Sequence, residues 1–144
     1  MATTDELKTI GRRVIEEIFG EGRLEVADEI ISADFVGYDA ALPEPNRGIE
    51  GVKQSAAGYR AAFPDITFVV DEQIAEGDTV VTRWTGRGTH EGDLFGIAPT
   101  GKQATVTGIS IDRIADGKVV EDHTNWDTFG LMQQIGAIPT ATTA

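Results

Sequence analysis

Apolar residues recur every three or four positions near the start of the chain. They are Leu7, Ile10, Val14, Ile15 and Ile18. This spacing predicts an amphipathic helix that ends near Gly20. Thr3 stands where a capping residue is needed, and the side chain of Glu6 can reach back to the Thr3 amide. We therefore expect the helix to begin at about Thr3.

The next part of the chain predicts shorter elements. Residues 24–31 keep the helical spacing, and residues 33–38 are typical of a short extended segment. Residues 40–48 contain two prolines and predict a loop, and loops beside a pocket often gate it. A further amphipathic helix is expected over residues 49–63, where Pro64 ends it.

Apolar and polar residues alternate through most of the second half of the chain. The alternation predicts four strands, over residues 66–74, 78–90, 102–114 and 118–127. Turns that contain glycine separate the strands, so the simplest arrangement is an antiparallel meander. A short helix over residues 128–135 and a frayed tail over residues 139–144 complete the prediction.

The order of these elements predicts the fold class. Helices gathered in the first half and strands in the second half are typical of an α+β fold. We expect the helices to pack on one face of a curved, mostly antiparallel sheet. A bent sheet closed by helices leaves a cone with an open mouth, which is a natural pocket for a small molecule.

Composition limits the possible partners. The formal net charge of -12 repels phosphate backbones, so we expect no nucleic acid partner. The absence of cysteine excludes disulfides and thiolate metal sites and fits a reducing cytoplasm. There is no signal-peptide pattern, and no apolar run approaches the roughly 18 residues that a membrane span needs. These observations predict one cytoplasmic domain over residues 1–144, with no membrane partner.

Short motifs follow one another through the second half of the chain. They are Gly88-Thr89-His90-Glu91-Gly92, Leu94-Phe95-Gly96, Pro99-Thr100-Gly101-Lys102, Asp116-Gly117-Lys118, Trp126-Asp127 and Gly130-Leu131-Met132-Gln133-Gln134-Ile135-Gly136. In this order and spacing, the chain resembles the SnoaL-like polyketide cyclases of the nuclear transport factor 2-like superfamily. The resemblance extends from about Phe19 to Gly136 and implies the cone fold of that superfamily.

The resemblance also implies a chemistry, which is cofactor-free acid/base catalysis on a bound polyketide. In such cyclases an aspartate on the last long strand removes a proton next to a carbonyl, and the enolate closes a ring by intramolecular aldol attack. Here Thr124 stands at the position of that aspartate, and Ser110 at the position of a histidine on the preceding strand. His90 matches the family pattern.

Asp122 is the candidate base. It lies two residues before Thr124 and so faces the same side of a regular strand. In an apolar cavity, loss of hydration raises the pKa of a carboxyl and makes it a competent base near neutral pH. The alternative is a solvated or salt-bridged aspartate. Thr124 and Ser110 could orient a substrate oxygen, or both could be structural hydroxyls.

The histidines at positions 90 and 123 have different expected roles. His90 could donate a hydrogen bond to a developing enolate oxygen, or it could fix a turn by binding a backbone carbonyl. His123 faces away from Asp122 and is expected at the surface or at a subunit contact. Two histidines and no cysteine leave no His-rich centre, so we expect no metal.

Aromatic residues are the candidates for substrate contacts. Trp84 and Trp126 could line a ligand cavity, and the alternative is a place in the core or at an interface. Tyr38 and Asn46 flank the loop over residues 40–48 and could lie at the mouth of a pocket.

Charged residues inside the strands are expected to form ion pairs across neighbouring strands. They are Arg83, Arg87 and Asp112.

Two functions remain open at this point. One is a SnoaL-like enzyme that removes a proton from a hydrophobic carbonyl substrate, with Asp122 and His90 as catalytic residues. The other is a non-catalytic small-molecule-binding or interaction module that keeps the cone but lacks the base, for which Thr124 is the best support. Both allow a homodimer, because the outer side of such a sheet can pack on a second copy.

Overall fold

Helices and a six-stranded sheet make up the part of the chain that this computed structural model describes, residues 2–139. The helices are α1 (Thr4–Arg13), α2 (Val26–Ile30), α3 (Gly48–Ala62) and α4 (Thr128–Gln134). The strands are β1 (Ile31–Asp39), β2 (Asn46–Arg47), β3 (Thr67–Glu76), β4 (Thr79–Thr89), β5 (Gln103–Ala115) and β6 (Lys118–Trp126). The fold is α+β, as the order of elements predicts.

The sheet has the strand order β2-β1-β6-β5-β4-β3. Strands β3 to β6 form the predicted antiparallel meander. Strand β1 lies parallel to β6 and pairs Gly37 with Asp122. This parallel pairing joins segments far apart in the sequence, and it brings the end of β1 beside the candidate base.

The first predicted helix consists of an α-helix followed by a π-helical segment. The hydroxyl of Thr3 accepts a hydrogen bond from the Glu6 amide at 3.1 Å, so Thr3 caps α1 as predicted. After Arg13 the chain continues as a π-helical segment, Val14–Gly20. Arg60 of α3 donates to the carbonyl oxygens of Phe19 and Gly20, which would otherwise lack partners at the helix end. The wider π-helical turn is the part of this helix that faces the cavity described below.

The two faces of the sheet differ in burial. Along β5, residues from Ala104 to Ile114 at alternate positions are mostly buried, whereas the residues between them are mostly exposed. We call the buried side, which the helices cover, the inner face, and the other side the outer face. The inner face is apolar at Ala104 and Ile114 but carries Ser110 and Asp112 between them. The polar residues of the sheet are therefore held inside the fold.

Two apolar clusters fill the space between helices and sheet. The larger includes Ile18, Val26 and Val119, and the smaller includes Phe63 and Leu131. Residues of both clusters line the cavity described below, so the cavity lies where the two clusters meet. The core thus supplies apolar walls on both sides of the site.

The Gly-x-His-x-Gly segment, residues 88–92, is hydrogen-bonded to the end of α3. The amides of Glu91 and Gly92 both donate to the carbonyl oxygen of Ala62, at 3.0 and 3.1 Å. A Cβ atom on Gly92 would overlap the carbonyl oxygen of Ala61. Glycine is needed here because the backbone of this turn lies directly on the backbone of α3. Packing against α3 therefore explains the second glycine of the motif.

Two predictions concern the ends of the chain and the membrane. The predicted tail over residues 139–144 lies, apart from Pro139, outside the described residues. Within residues 2–139, none of the helices is both long enough and apolar enough to span a membrane.

Candidate active site

A cavity of about 130 Å³ lies between the inner face of the sheet and the helices. Most of its lining is apolar, with contributions from the π-helical segment, α3 and the long strands. Five polar residues from three neighbouring strands also line it. They are Asp39 of β1, Ser110 and Asp112 of β5, and Asp122 and Thr124 of β6. An apolar enclosure with a few convergent polar groups is typical of a small-molecule site.

A chain of hydrogen bonds crosses the inner face and ends on Asp122. The indole Nε1–H of Trp84 donates to Ser110 Oγ at 3.1 Å. Ser110 Oγ lies 2.8 Å from Thr124 Oγ1, and Thr124 Oγ1 donates to Asp122 Oδ1 at 2.8 Å. Because an indole can only donate and a carboxylate can only accept, the Ser110 hydroxyl must donate to Thr124. The chain therefore delivers one hydroxyl donor to Asp122.

Asp112 lies beside Asp122 on the inner face. The two residues are register partners across β5 and β6, and both face inward. Asp112 is 1 % exposed, and as a carboxylate neither of its oxygens has a hydrogen-bond partner among residues 2–139. Asp122 is only partly buried, and both aspartates line the cavity.

Burial raises the pKa of both aspartates. For Asp112, burial is reinforced by the charge of Asp122, and the pKa lies well above the ordinary value for this side chain. For Asp122, burial raises the pKa, while hydrogen bonds from Asp112 and Thr124 offset part of the rise. A carboxylate whose pKa is raised is a stronger base than that of an ordinary aspartate.

A second polar group lies at the end of β1. Asp39 accepts hydrogen bonds from the Tyr59 hydroxyl at 2.6 Å and from Trp126 Nε1 at 3.0 Å. Burial and the bond to Asp39 raise the pKa of Tyr59, so its hydroxyl stays protonated. Tyr59 and Trp126 also meet edge to face, with ring centroids 5.9 Å apart. This group holds two aromatic walls of the cavity in fixed orientations.

The structure brings together five of the seven residues that the sequence proposed for the site. Trp84, Ser110, Asp122, Thr124 and Trp126 all line the cavity. These five come from three strands, and inward alternation along each strand is what gathers them. Asn46, considered for the mouth of a pocket, also lines the cavity.

His90 is fully buried but is not among the residues that line the cavity. Its ring lies against Phe63, with ring centroids 5.6 Å apart. Nδ1 accepts a hydrogen bond from the Thr100 amide at 3.3 Å, which places the proton of a neutral ring on Nε2. Nε2 has no partner among the described residues. His90 thus holds the β4–β5 connection through a backbone amide, where the sequence suggested a carbonyl.

Tyr38 lies on the outer face of the sheet and not in the cavity. It is 46 % exposed and stacks on His123, with ring centroids 4.8 Å apart. The alternation of β1 explains this placement, because Asp39 and Gly37 face inward and Tyr38 between them must face outward. His123 is exposed on the same outer face, as expected from its position next to Asp122.

Sequence reasoning missed three polar residues of the site. Asp112 was expected to form an ion pair across strands, and this was wrong, because it is buried beside a second aspartate and has no cation partner among residues 2–139. The available signal was its spacing of two from Ser110, which puts both on one face. Asp39 and Tyr59 gave no such signal, because their bond joins β1 to α3. Arg83 does form the expected pair, with Glu72 at 3.2 Å.

A second depression adjoins the cavity between α3 and two loops. It is lined by Leu42, by Phe95 and by residues of α3, and it shares Asn46, Ser55 and Tyr59 with the cavity. Leu42 belongs to the loop that was predicted to gate a pocket, so the loop is in the right place for that role.

A family model, SnoaL-like polyketide cyclase, matches residues 9–135 of this chain. The chain belongs to the SnoaL-like polyketide cyclase family. The resemblance suggested by the motifs is confirmed, and it covers nearly the whole of the described structure.

Related proteins support the same assignment. Nogalonic acid methyl ester cyclase of Streptomyces nogalater is 29 % identical over 120 residues, which is 82 % of this chain and 89 % of the relative. Aklanonic acid methyl ester cyclase DnrD of Streptomyces peucetius is 28 % identical over 128 residues, 87 % of either chain. A crystal structure assigned to the SnoaL-like polyketide cyclases, from Jannaschia sp. CCS1, superposes with a TM-score of 0.86 at 26 % identity, covering 96 % of this chain and 97 % of that one. The nuclear transport factor 2-like cone fold is thereby confirmed.

Proposed function

We propose that this protein is a polyketide cyclase that closes a ring by an intramolecular aldol reaction, with Asp122 as the base. The observation that carries the proposal is the position of Asp122. Its carboxyl faces a mostly apolar cavity, accepts a hydrogen bond from Thr124, and has a pKa raised by burial. The family supplies the reaction type, and the geometry supplies the residue.

The proposed reaction needs only a proton that is removed and returned. Asp122 takes a proton from a carbon next to a substrate carbonyl, and the electron pair of the broken C–H bond forms an enolate. The enolate carbon attacks a second carbonyl carbon of the same molecule, so that one C–C bond forms and that carbonyl oxygen becomes an alkoxide. The alkoxide then takes the proton back from Asp122. No oxidant or reductant is consumed, and we expect no cofactor.

Thr124 and Ser110 have a supporting role in this proposal. They occupy the positions where the family resemblance places an aspartate and a histidine, and here they form the hydrogen-bond chain that ends on Asp122. We infer that the base of this protein lies two residues before the family's aspartate position on β6. Hydroxyl side chains occupy the family's aspartate and histidine positions on the inner face. His90 stays a prediction as an enolate donor, supported only by its unpartnered Nε2.

The site favours a neutral substrate. The ionisable residues that line the cavity are Asp39, Tyr59, Arg87, Asp112 and Asp122, and Arg87 is exposed. A carboxylate on the substrate would meet aspartates in an enclosed, weakly screened space, where like charges repel strongly. Two relatives are named for methyl esters of polyketide acids. We therefore propose a hydrophobic polyketide methyl ester as the substrate class.

A comparison of ester and acid tests this substrate class. An aromatic polyketide methyl ester is expected to be turned over with a kcat/KM at least about tenfold above that of the free acid, a difference of about 1.4 kcal/mol. The primary amide of the same acid is neutral and serves as the control, and it should follow the ester. Equal kcat/KM values for ester and acid would contradict a site that selects against negative charge.

The second candidate function is a binding module without catalysis. The observation that favours it is Thr124, which replaces the family's aspartate. Calorimetric titration of the same esters, followed by mass analysis of the recovered ligand, separates the two. Tight binding with unchanged ligand would support the module, and any cyclised product supports the enzyme.

We also propose that the outer face joins two copies of the chain. A row of residues crosses this face in register, from Ile74 through Val81 and Ile111 to His123 and Tyr38. Ile74 is 60 % exposed and Ile111 is 43 % exposed. Exposed apolar side chains side by side on a sheet are typical of an association surface, and a second copy is the partner whose matching row is always present.

Replacement of Ile111 by arginine tests this homodimer. The variant places a charge in the middle of the row, and its desolvation is expected to weaken self-association at least about 100-fold. Light scattering during size-exclusion chromatography should show a dimer for the wild type and a monomer for Ile111→Arg. The control variant Ala57→Arg, which changes an exposed position of α3, should remain a dimer. A dimer that survives Ile111→Arg would place the interface elsewhere.

A further inference from the structure

The feature that the proposed function leaves unexplained is the second aspartate. Asp112 is 1 % exposed, lies beside the proposed base, and has no hydrogen-bond partner among residues 2–139 for either carboxylate oxygen. An ionised carboxylate with neither a cation nor a donor is one of the costliest groups to bury. Such a residue needs a physical explanation.

We propose, on the basis of the proposed function, that Asp112 and Asp122 hold one proton between them, that Asp112 carries it, and that Asp112 thereby positions Asp122 and keeps it ionised as the base. Asp112 is a positioning residue, because both of its oxygens are covered and its proposed action is on Asp122.

The surroundings decide which aspartate is protonated. Asp122 already accepts a hydrogen bond from Thr124, whereas Asp112 receives none as a carboxylate. Asp112 is also the more deeply buried of the two. A proton on Asp112 gives that residue a hydrogen bond to donate, and Asp122 is the acceptor within its reach. The arrangement resembles other pairs of adjacent carboxyls, which cannot both ionise.

Other ionisable groups around the pair are few. Asp39 raises the pKa of Asp122 and His123 lowers it. Tyr59 and Arg87 also line the cavity, and β4 presents Val80 opposite Asp112. The remaining elements that line the cavity near the pair contribute apolar, hydroxyl or amide side chains, among them Val14, Ser55 and Asn46. The proton on Asp112 is therefore governed mainly by burial and by Asp122.

This arrangement explains how a buried base can stay ionised. Burial alone would raise the pKa of Asp122 and leave it protonated at a higher pH. The hydrogen bond from Asp112 favours the ionised form of Asp122 and offsets part of that effect. When Asp122 takes the substrate proton, the pair carries two protons and no charge, which suits the apolar cavity.

Infrared spectroscopy of the protein tests the proposal without any substrate. With ¹³C-labelled aspartate, the wild type at neutral pH should show the carbonyl stretch of a protonated carboxyl, and Asp112→Asn should lose it. Asp34→Asn, at an exposed position, is the matched control and should keep the band. No such band in the wild type, or a band that persists in Asp112→Asn, would overturn the proposal. Since no turnover is measured, failure of the cyclase proposal would not affect this result.

Stability against pH provides an independent readout. A raised pKa means that the folded protein holds a proton that the unfolded chain has lost, so stability falls as pH rises from about 4 through the folded pKa of Asp112. Asp112→Asn removes this dependence. Its melting temperature is expected to be close to that of the wild type at pH 4 and to exceed it increasingly toward neutral pH. A constant difference across this range would contradict a protonated Asp112.

Activity separates positioning from a structural role. Asp112→Ala removes the donor, so kcat/KM at neutral pH should fall at least tenfold and its acid limb should move to higher pH. Asp112→Asn keeps a donor and should restore most of kcat/KM and the position of the acid limb. Equal losses in both variants, with unchanged pH profiles, would show that Asp112 acts only through packing.

Discussion

Replacement of Asp122 by asparagine is expected to lower kcat by a factor of about 10² to 10⁴, the usual contribution of a positioned general base. The change keeps the shape of the side chain, and an amide oxygen can still accept the hydrogen bond from Thr124. It also removes a buried ionisable group, so the fold should keep its stability. The loss should therefore appear in kcat, with the affinity for the ester changed little. Stopped-flow absorbance of a polyketide methyl ester measures both quantities.

The pH dependence of kcat/KM in the wild type tests the same role of Asp122. Burial raises the pKa of Asp122 above the ordinary aspartate value of about 3.9. Asp122 therefore takes up a proton at a higher pH than an ordinary aspartate, and kcat/KM should begin to fall at that higher pH. Asp34→Asn changes an exposed aspartate and should leave kcat and the pH profile as they are. If Asp122→Asn retained wild-type kcat, Asp122 would not be the base, and the cavity would need another catalytic group.

Replacement of Gly92 by alanine is expected to destabilise the protein by about 3 kcal/mol. The added Cβ would overlap the carbonyl oxygen of Ala61, and backbone atoms cannot move aside as a flexible side chain can. Relief requires the turn to leave α3, which breaks the two hydrogen bonds to the Ala62 carbonyl. Chemical denaturation monitored by tryptophan fluorescence gives the free energy of unfolding.

Gly58 provides the matched control for this substitution. It lies inside α3, and a Cβ at this position would meet no atom within 4 Å. Gly58→Ala should therefore stabilise the protein by about 1 kcal/mol, because alanine favours the helix over glycine. A Gly92→Ala variant as stable as the wild type would show that the turn does not lie against α3 as described.

The fold could be predicted closely because its signals are local. Helical spacing, the Thr3 cap and strand alternation each concern residues near one another in sequence. The strand over residues 102–114 and β5, Gln103–Ala115, differ by one residue at either end. The parallel pairing of β1 with β6 could not be predicted in this way, because no nearby turn joins the two strands. The π-helical turn after Arg13 was also missed, since its apolar spacing is compatible with an α-helix.

Site residues that share one strand could be predicted from their spacing, whereas contacts between different helices and strands could not. Asp122 was identified from its spacing to Thr124, and the same rule applied to Ser110 gives Asp112. Tyr38 was placed at a pocket mouth because it flanks the loop over residues 40–48, but it faces the side of the sheet opposite to its neighbour Asp39. The bond between Asp39 and Tyr59 depends on how α3 crosses β1, which side-chain spacing does not encode.

The most direct measurement of the central claim is a crystal structure of the Asp122→Asn variant with a polyketide methyl ester bound. The substitution should preserve binding and stop turnover, so the unreacted ester can be seen. The carbon that bears the acidic hydrogen should lie within about 3.5 Å of the side chain at position 122, the distance expected of a reactive pair. An ester bound with that carbon on the far side of the cavity, or bound outside the cavity, would contradict the assignment of Asp122 as the base.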